Sequence, residues 1–303
     1  MCTHMIASNI VNSLTSTTHP PLSRAQGSLR LGMPQLCGVG LSETWLLEKC
    51  GDVHWTMICE RIGALSHELK DSAGRRVYAS FVATRISGSG LGGLTEGDML
   101  HYESRLEHLN STCSESLHRW DCGETSVVVE MLSVFLRRRD NWGNELTRVV
   151  IPGVTESLYG SHSDIQDRFR RQKRRPGSAQ PILSGCTWQP TLTLDYNGAG
   201  LLYFARFHEL VERGEVALLG ESSEACYAVE NRETYYFANM NPGEGVTVAF
   251  TDLLNTDQAR RHQAEIRHAS DGRLMSRVIT SKKRAAMLSD AADSTPQLKR
   301  MAI

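Results

Sequence analysis

Six cations crowd eight consecutive positions of the chain: Arg168, Arg170, Arg171, Lys173, Arg174 and Arg175, within RFRRQKRRPGSAQP (168–181). Guanidinium groups match phosphate geometry, so the run suits a phosphate or an acidic protein surface. The same charges repel one another and Pro176-Gly177 breaks regular structure, so a solvated linker is the alternative. A second chemical feature is Gly40-Leu41-Ser42. Ser42 can cap a following helix, and helix-start N–H groups at a positive dipole end attract a negative oxygen. The other reactive side chains form no site by spacing. His54, His101, His118, His162, His208, His262 and His268 lack metal-ligand spacing, and the eight cysteines contain no CxxC pair, so no metal is expected. No G-x-S-x-G elbow is present, which argues against the hydrolases built on it. GSGLGG (88–93) imitates a nucleotide loop but lies between two β-prone runs and opens no helix, so it reads as a hairpin.

The elements that must position this chemistry belong to a globular chain. Its 303 residues are 40% apolar and 22% charged, enough for one large domain or two ordinary ones. Lys+Arg number 33 and Asp+Glu 34, a net charge of -1, so no global field draws nucleic acid. No apolar run approaches the roughly 20 residues of a membrane span. Residues 1–28 are rich in Ser, Thr and Pro, lack the regions of a secretory signal, and read as a disordered arm. Scattered cysteines fit a reduced, cytoplasmic protein. Residues 41–60 place Leu46, Leu47, Cys50, Val53, Met57 and Ile58 on one helical face. Runs 75–87, 95–109, 114–123 and 124–138 read as strands. The second half repeats that order, with a helix over 200–220 and strands over 231–240, 241–255, 258–269 and 271–284. Gly97-Asp98 and Gly243-Glu244 mark corresponding turns, and Glu124 and Asp271 open the last strands, at nearly one offset. The expected organisation is a first unit over 29–160, a basic linker over 161–181, a second unit over 182–287 and a flexible tail over 288–303. The two units are expected to pack as a pseudo-dimer with continuous sheets.

A helix wrapped by an antiparallel sheet, present twice, resembles the double hot-dog proteins, an α+β fold. Asn197-Gly198-Ala199-Gly200-Leu201-Leu202-Tyr203-Phe204-Ala205-Arg206-Phe207 is similar to the D-x-x-G-x-V-x-x-x-x-Y segment of hot-dog acyl-CoA thioesterases. In that family the Asp before the central helix does acid–base or nucleophilic work, and helix-start amides bind the thioester oxygen. Asn197 stands at the Asp position here, and an amide cannot be a carboxylate base. The resemblance implies that Asn197 donates a hydrogen bond to the thioester carbonyl, beside Gly198 at the substrate. The alternative is that Asn197 only caps the helix.

Gly32-Met33-Pro34-Gln35-Leu36, Gly40-Leu41-Ser42-Glu43-Thr44-Trp45-Leu46-Leu47 and Gly51-Asp52-Val53-His54-Trp55 resemble the LnmK-type bifunctional acyltransferase/decarboxylases of polyketide biosynthesis. That resemblance implies methylmalonyl-CoA or malonyl-CoA as substrate and an acyl carrier protein as acceptor, with no cofactor beyond the coenzyme A thioester. It also implies a catalytic tyrosine at Tyr78. Loss of CO2 leaves an enolate, whose oxygen the Gly40, Leu41 and Ser42 amides would hold. Val39, Leu41, Phe81 and Val82 would line a pocket for the departing carboxylate, and Tyr78 would act as nucleophile or hydrogen-bond donor. Arg170 and Arg171 would contact phosphate of coenzyme A or the carrier. The alternatives are a thioesterase, a dehydratase-like protein or a non-catalytic carrier-binding module. The expected partners are acyl-CoA and acyl carrier protein, with neither nucleic acid nor membrane, and a homodimer is compatible with all of these.

Overall fold

The computed structural model describes residues 23–139, 145–152, 154, 163–177, 183–220 and 226–287. Residues 1–22 of the expected arm and the expected tail over 288–303 lie outside the described residues. The chain opens with β1 (Arg24–Arg30) and two short strands, β2 (Leu36–Cys37) and β3 (Gly40–Leu41). Helix α1 (Glu43–Ile62) follows, then β4 (Tyr78–Ser87), β5 (Met99–Leu109), β6 (Cys113–Cys122), β7 (Thr125–Arg138) and β8 (Leu146–Arg148). Helix α2 (Asp164–Arg174) joins the halves. The second half contains β9 (Leu183–Trp188), a single turn α3 (Leu192–Asp195), α4 (Arg206–Leu219), β10 (Cys226–Tyr236), β11 (Val246–Asn255), β12 (Ala259–His268) and β13 (Leu274–Ala285).

One antiparallel sheet of eleven strands runs through both halves in the order β1-β5-β6-β7-β4-β10-β13-β12-β11-β9, with β8 beside β7. Read outward from the central β4–β10 pair, the two arms have the same sequence of strands. That palindrome is the expected pseudo-dimer, and the chain has the α+β double hot-dog fold. The join is a ladder from Ala83↔Tyr235 to Ser87↔Asn231. Duplication extends to irregularities: the register shifts between Phe81 and Ala83 on β4 and between Val229 and Asn231 on β10.

Local chemistry explains α1. The Ser42 hydroxyl accepts from the Trp45 N–H, Glu43 sits in the first turn, and Gly63 at φ 72° ends the helix. Leu46, Leu47, Cys50, Val53, Met57 and Ile58 are buried, as the spacing predicts. Helix α1 lies against β1, β5, β6 and β7, and α4 against β9, β11, β12 and β13. One apolar cluster includes Leu46, Leu47 and Trp120 of the first half and Phe207, Leu210 and Phe250 of the second.

Two boundaries differ from expectation. Residues 24–28 belong to β1, paired with β5 from Arg24↔Arg105 to Arg30↔Met99, and are not part of a disordered arm. The β1 sequence RAQGSLR carries little β preference; the edge of β5 supplies its pairing. Gly27 lies under the Tyr102 ring, where a Cβ would come within 2.8 Å of it.

The basic segment is the second difference: it is a helix, not a loop. The Ser163 hydroxyl caps α2 by accepting from the Gln166 N–H. Asp164 and Asp167 occupy its first turn, and Arg171, Lys173 and Arg174 its last. That order of charge follows the helix dipole, and Arg168–Asp164 and Arg170–Asp167 pairs offset the repulsion. Ile165 and Phe169, four apart, bury against Val82, Ala83, Val134 and Tyr235 at the junction of the halves. Buried Arg277 on β13 then donates to the Gln172 and Pro176 carbonyls, pinning the end of α2.

Candidate active site

A cavity of about 950 Å³ lies where the halves meet. The middle of α1 contributes Gly51, Asp52, His54 and Trp55, and the start of β4 contributes Tyr78 to Val82. The second half adds the loop into α4, with Asn197, Tyr203 and Phe204, and the end of β10, with Tyr236 to Asn239. Tyr78 and Asn197, singled out separately by sequence resemblance, therefore line one cavity. Its floor is aromatic: the Phe81 and Phe204 ring centroids are 4.3 Å apart, Tyr203 and Phe204 4.9 Å, Phe207 and Tyr236 5.2 Å. Gly51 lets that floor form, since a Cβ there would stand 2.9 Å from the Phe204 ring.

Asn197 does not cap α4, which begins nine residues later at Arg206. It closes a tight ring instead. Its side-chain oxygen accepts from the Ala199 and Leu201 N–H groups at 3.0 and 3.1 Å, and its backbone carbonyl accepts from Gly200. The oxygen is spent on the loop, so the amide NH2 is what Asn197 has left for a ligand. Gly198 is exposed within the same ring and does not line the cavity.

Three carboxylates reach the cavity wall. Glu145 is paired with Arg139. Burial would raise Glu244, but hydrogen bonds from the Asn241 side chain and backbone and from His268 override it and hold the carboxyl below its ordinary range. Asp52 has no side-chain partner among the described residues. A sequence signal for Asp52 existed: an exposed acid one helical step from the buried face of α1. Its importance depended on which cavity that face borders. Tyr203 is pushed up to about 12 by burial and by Glu48 and Asp52, so its phenol stays protonated. The mouth carries Arg76, Arg148, Lys173 and Arg273, none ion-paired among the described residues. Arg76 lies 5.1 Å over the Tyr78 ring.

The other expected site residues lie elsewhere. Leu41 and Ser42 line a second cavity of about 330 Å³, with Val39, and not the one that holds Tyr78. Their amides are already used: Leu41 N–H donates to the Leu91 carbonyl and Ser42 N–H to the Gln35 carbonyl. Gly40, at φ 143°, pairs with Cys37 and abuts Leu91 so closely that a Cβ would stand 2.1 Å from its carbonyl oxygen. Phe81 and Val82 do line the large cavity. Arg170 and Arg171 are exposed on α2 and line neither; Lys173 of the same helix does.

The second cavity is the pseudo-two-fold counterpart of the first. The buried α4 residues Phe207, His208, Leu210, Val211, Gly214 and Glu215 repeat Cys50, Gly51, Val53, His54, Met57 and Ile58 of α1 in the same spacing. Glu209 thus corresponds to Asp52. Unlike Asp52 it is occupied: Thr44 Oγ1 donates to it at 2.9 Å and Arg206 pairs with it. Behind it Arg232, buried to 1% exposure, bridges Glu43 and Glu212, and Lys282 bridges Glu212 and Glu215.

Among the described residues no three His, Cys, Asp or Glu side chains are grouped to hold a metal ion. No described helix is long and apolar enough to cross a membrane. No family model matches the sequence, and no curated protein matches it. Similarity appears at the level of structure. An acyl-ACP thioesterase from Bacteroides thetaiotaomicron superposes with a TM-score of 0.59 at 10% identity, over 86% of this chain and 98% of that one. A 12:0-ACP thioesterase from Umbellularia californica superposes with a TM-score of 0.60 at 10% identity, over 86% and 94%. Likeness at that identity establishes the shared double hot-dog fold.

Proposed function

We propose that the chain is an acyl-thioester hydrolase whose site is the large cavity between the halves. The observation that carries this is Asp52, an unpaired carboxylate on the wall of an aromatic-floored cavity that also holds Asn197. A thioesterase needs a base for water, a donor for the carbonyl oxygen and an apolar bed for the acyl chain. Asp52, the Asn197 amide NH2, and Phe81, Phe204 and Phe207 supply them. In this reading Asp52 takes a proton from water as the water adds to the thioester carbon. The Asn197 NH2 stabilises the oxyanion, and collapse breaks the C–S bond as the proton held by Asp52 passes to the leaving sulfur, releasing the thiol and regenerating the carboxylate. Arg76, Arg148, Lys173 and Arg273 suit phosphate on coenzyme A or on a carrier's phosphopantetheine. Only one of the two pseudo-equivalent cavities has a free helix carboxylate, which favours one working site per chain.

Hydrolysis replaces decarboxylating acyl transfer as the preferred reading. The amides meant to hold an enolate are engaged and border the wrong cavity, and a floor of phenyl rings suits a long acyl chain better than a malonyl group. The neighbouring folds named above act on acyl-ACP thioesters, which agrees. The test is thiol release from acyl-CoA and acyl-carrier substrates of increasing chain length. Asp52→Asn should lower kcat about 10²–10⁴-fold, the range for a general base. CO2 release from malonyl-CoA or methylmalonyl-CoA without thiol release from fatty acyl thioesters would restore the decarboxylase reading.

A further inference from the structure

The ring of backbone that carries Asn197 belongs to the second half, but it is held from the first. Arg138, the last residue of β7, donates from Nη2 to the Ala199 carbonyl, two residues beyond Asn197. The guanidinium lies directly over Gly200, where a Cβ would be 3.0 Å from Nη2, and Gly200 has φ 66°. A side chain there would be strained by its backbone and would crowd the Arg138 guanidinium. On its other side Asn239 binds both the N–H and the carbonyl of Leu202. The ring is thus gripped at Ala199 by one half and at Leu202 by the other.

Arg138 is an uneconomical residue for stability alone. It has no carboxylate partner among the described residues, and its Nε is buried without an acceptor. Leaving a buried donor unmade costs more than one neutral hydrogen bond returns. What the arrangement supplies is placement: the Asn197 oxygen is locked into its own loop, so the direction of its NH2 is set by where that loop sits.

We propose that Arg138 is a positioning residue that clamps the 197–201 ring across the junction of the halves and so aims the Asn197 amide at the thioester oxygen. The proposal rests on the hydrolase reading of the cavity. An apolar contact would let the ring slide; a charged donor on a carbonyl fixes distance and direction. Misplacing a reacting group by about 1 Å costs roughly 10²-fold in rate.

The test compares Arg138→Met, which keeps the aliphatic stem, with Arg138→Lys, which keeps one cationic donor. In Arg138→Met, kcat for acyl-CoA hydrolysis should fall about 10–100-fold with KM within about twofold, because misaimed binding is lost mainly in the transition state. Arg138→Lys should recover most of that loss. Amide exchange at Ala199 and Leu201 should quicken about tenfold or more in Arg138→Met, while the melting temperature stays close to wild type. Unchanged exchange at those amides overturns the clamp, whatever the activity. Faster exchange with unchanged kcat overturns the positioning role. A wild-type protein that hydrolyses no thioester defeats the hydrolase reading and with it the catalytic purpose of the clamp. The exchange measurement then still decides whether the clamp exists.

Discussion

Acid should unfold this protein well above the pH at which its carboxylates protonate. His54, His118 and His208 are buried and held down to about 3, in each case chiefly by burial. For His54 and His208 nearby positive charge adds to the effect, from His118 and Arg232 respectively. Hydrogen bonding explains how they stay neutral: His54 lies between Ser116 at 2.6 Å and Ser133 at 2.8 Å, and His118 between Ser104 and Ser116, both at 2.8 Å. In the unfolded chain these imidazoles titrate near 6.5. Below that pH the unfolded state binds protons the native state refuses, so stability falls until pH reaches the native values near 3. At pH 5 each histidine costs about 2 kcal/mol, and three cost about 6 kcal/mol. Glu43 opposes this. Burial raises its carboxyl to about 6, although Arg232 pulls it down, so it gains a proton on folding and returns about 1 kcal/mol at pH 5. The net loss of about 5 kcal/mol rivals the whole stability of an ordinary domain. Urea denaturation at half-unit steps from pH 7.5 to 5 reads this directly. With Glu43 opposing the three histidines, the slope near pH 5 should approach about two protons, about 3 kcal/mol per pH unit. His118→Gln keeps an amide between the two serines and removes one titration, so it should be less stable at pH 7.5 yet lose one proton of slope. A wild-type slope below one proton between pH 6 and 5, or an unaltered slope in His118→Gln, would refute the reasoning.

The Tyr78 hydroxyl has no hydrogen-bond partner among the described residues and the ring lines the cavity, so Tyr78→Phe should raise KM about two- to tenfold with kcat unchanged. Intact-mass measurement should show no acyl adduct on the wild type; an adduct lost in Tyr78→Phe would make the tyrosine a nucleophile. Replacing Arg148, Lys173 and Arg273 together by Gln should raise KM for acyl-CoA and flatten its salt dependence. Arg170→Gln with Arg171→Gln should do neither, and equal effects of the two sets would dissociate the cavity mouth from phosphate binding. Ser163→Ala removes the cap of α2 and should cost about 1 kcal/mol in urea denaturation. No loss there would mean that α2 is held by Ile165, Phe169 and Arg277 alone.

Periodicity and turn chemistry in the sequence determined most of the elements, because both act within a few residues. The face of α1 is visible in Leu46, Leu47, Cys50, Val53, Met57 and Ile58. The duplication is visible in the Gly97-Asp98 and Gly243-Glu244 turns that precede β5 and β11. Helix α2 was also legible, in Ile165 and Phe169 four apart and in acids leading bases, once the segment is read from Ser163 rather than from its first arginine. Strand β1 was not, since its pairing comes from β5, far along the chain. The site was legible only in part. Sequence resemblance singled out Tyr78 and Asn197 separately and set Tyr78 beside the start of α1. The β4–β10 register decided otherwise: its pseudo-two-fold turns the start of each central helix, with the loop before it, toward the middle of the other. Tyr78 therefore meets the Asn197 loop and Asp52, while Leu41 and Ser42 meet His208 and Glu209. A hydrophobic pattern records which face of a helix is buried. Which residues of the other half stand across the cavity depends on how two distant strands pair, and only the folded chain contains that pairing.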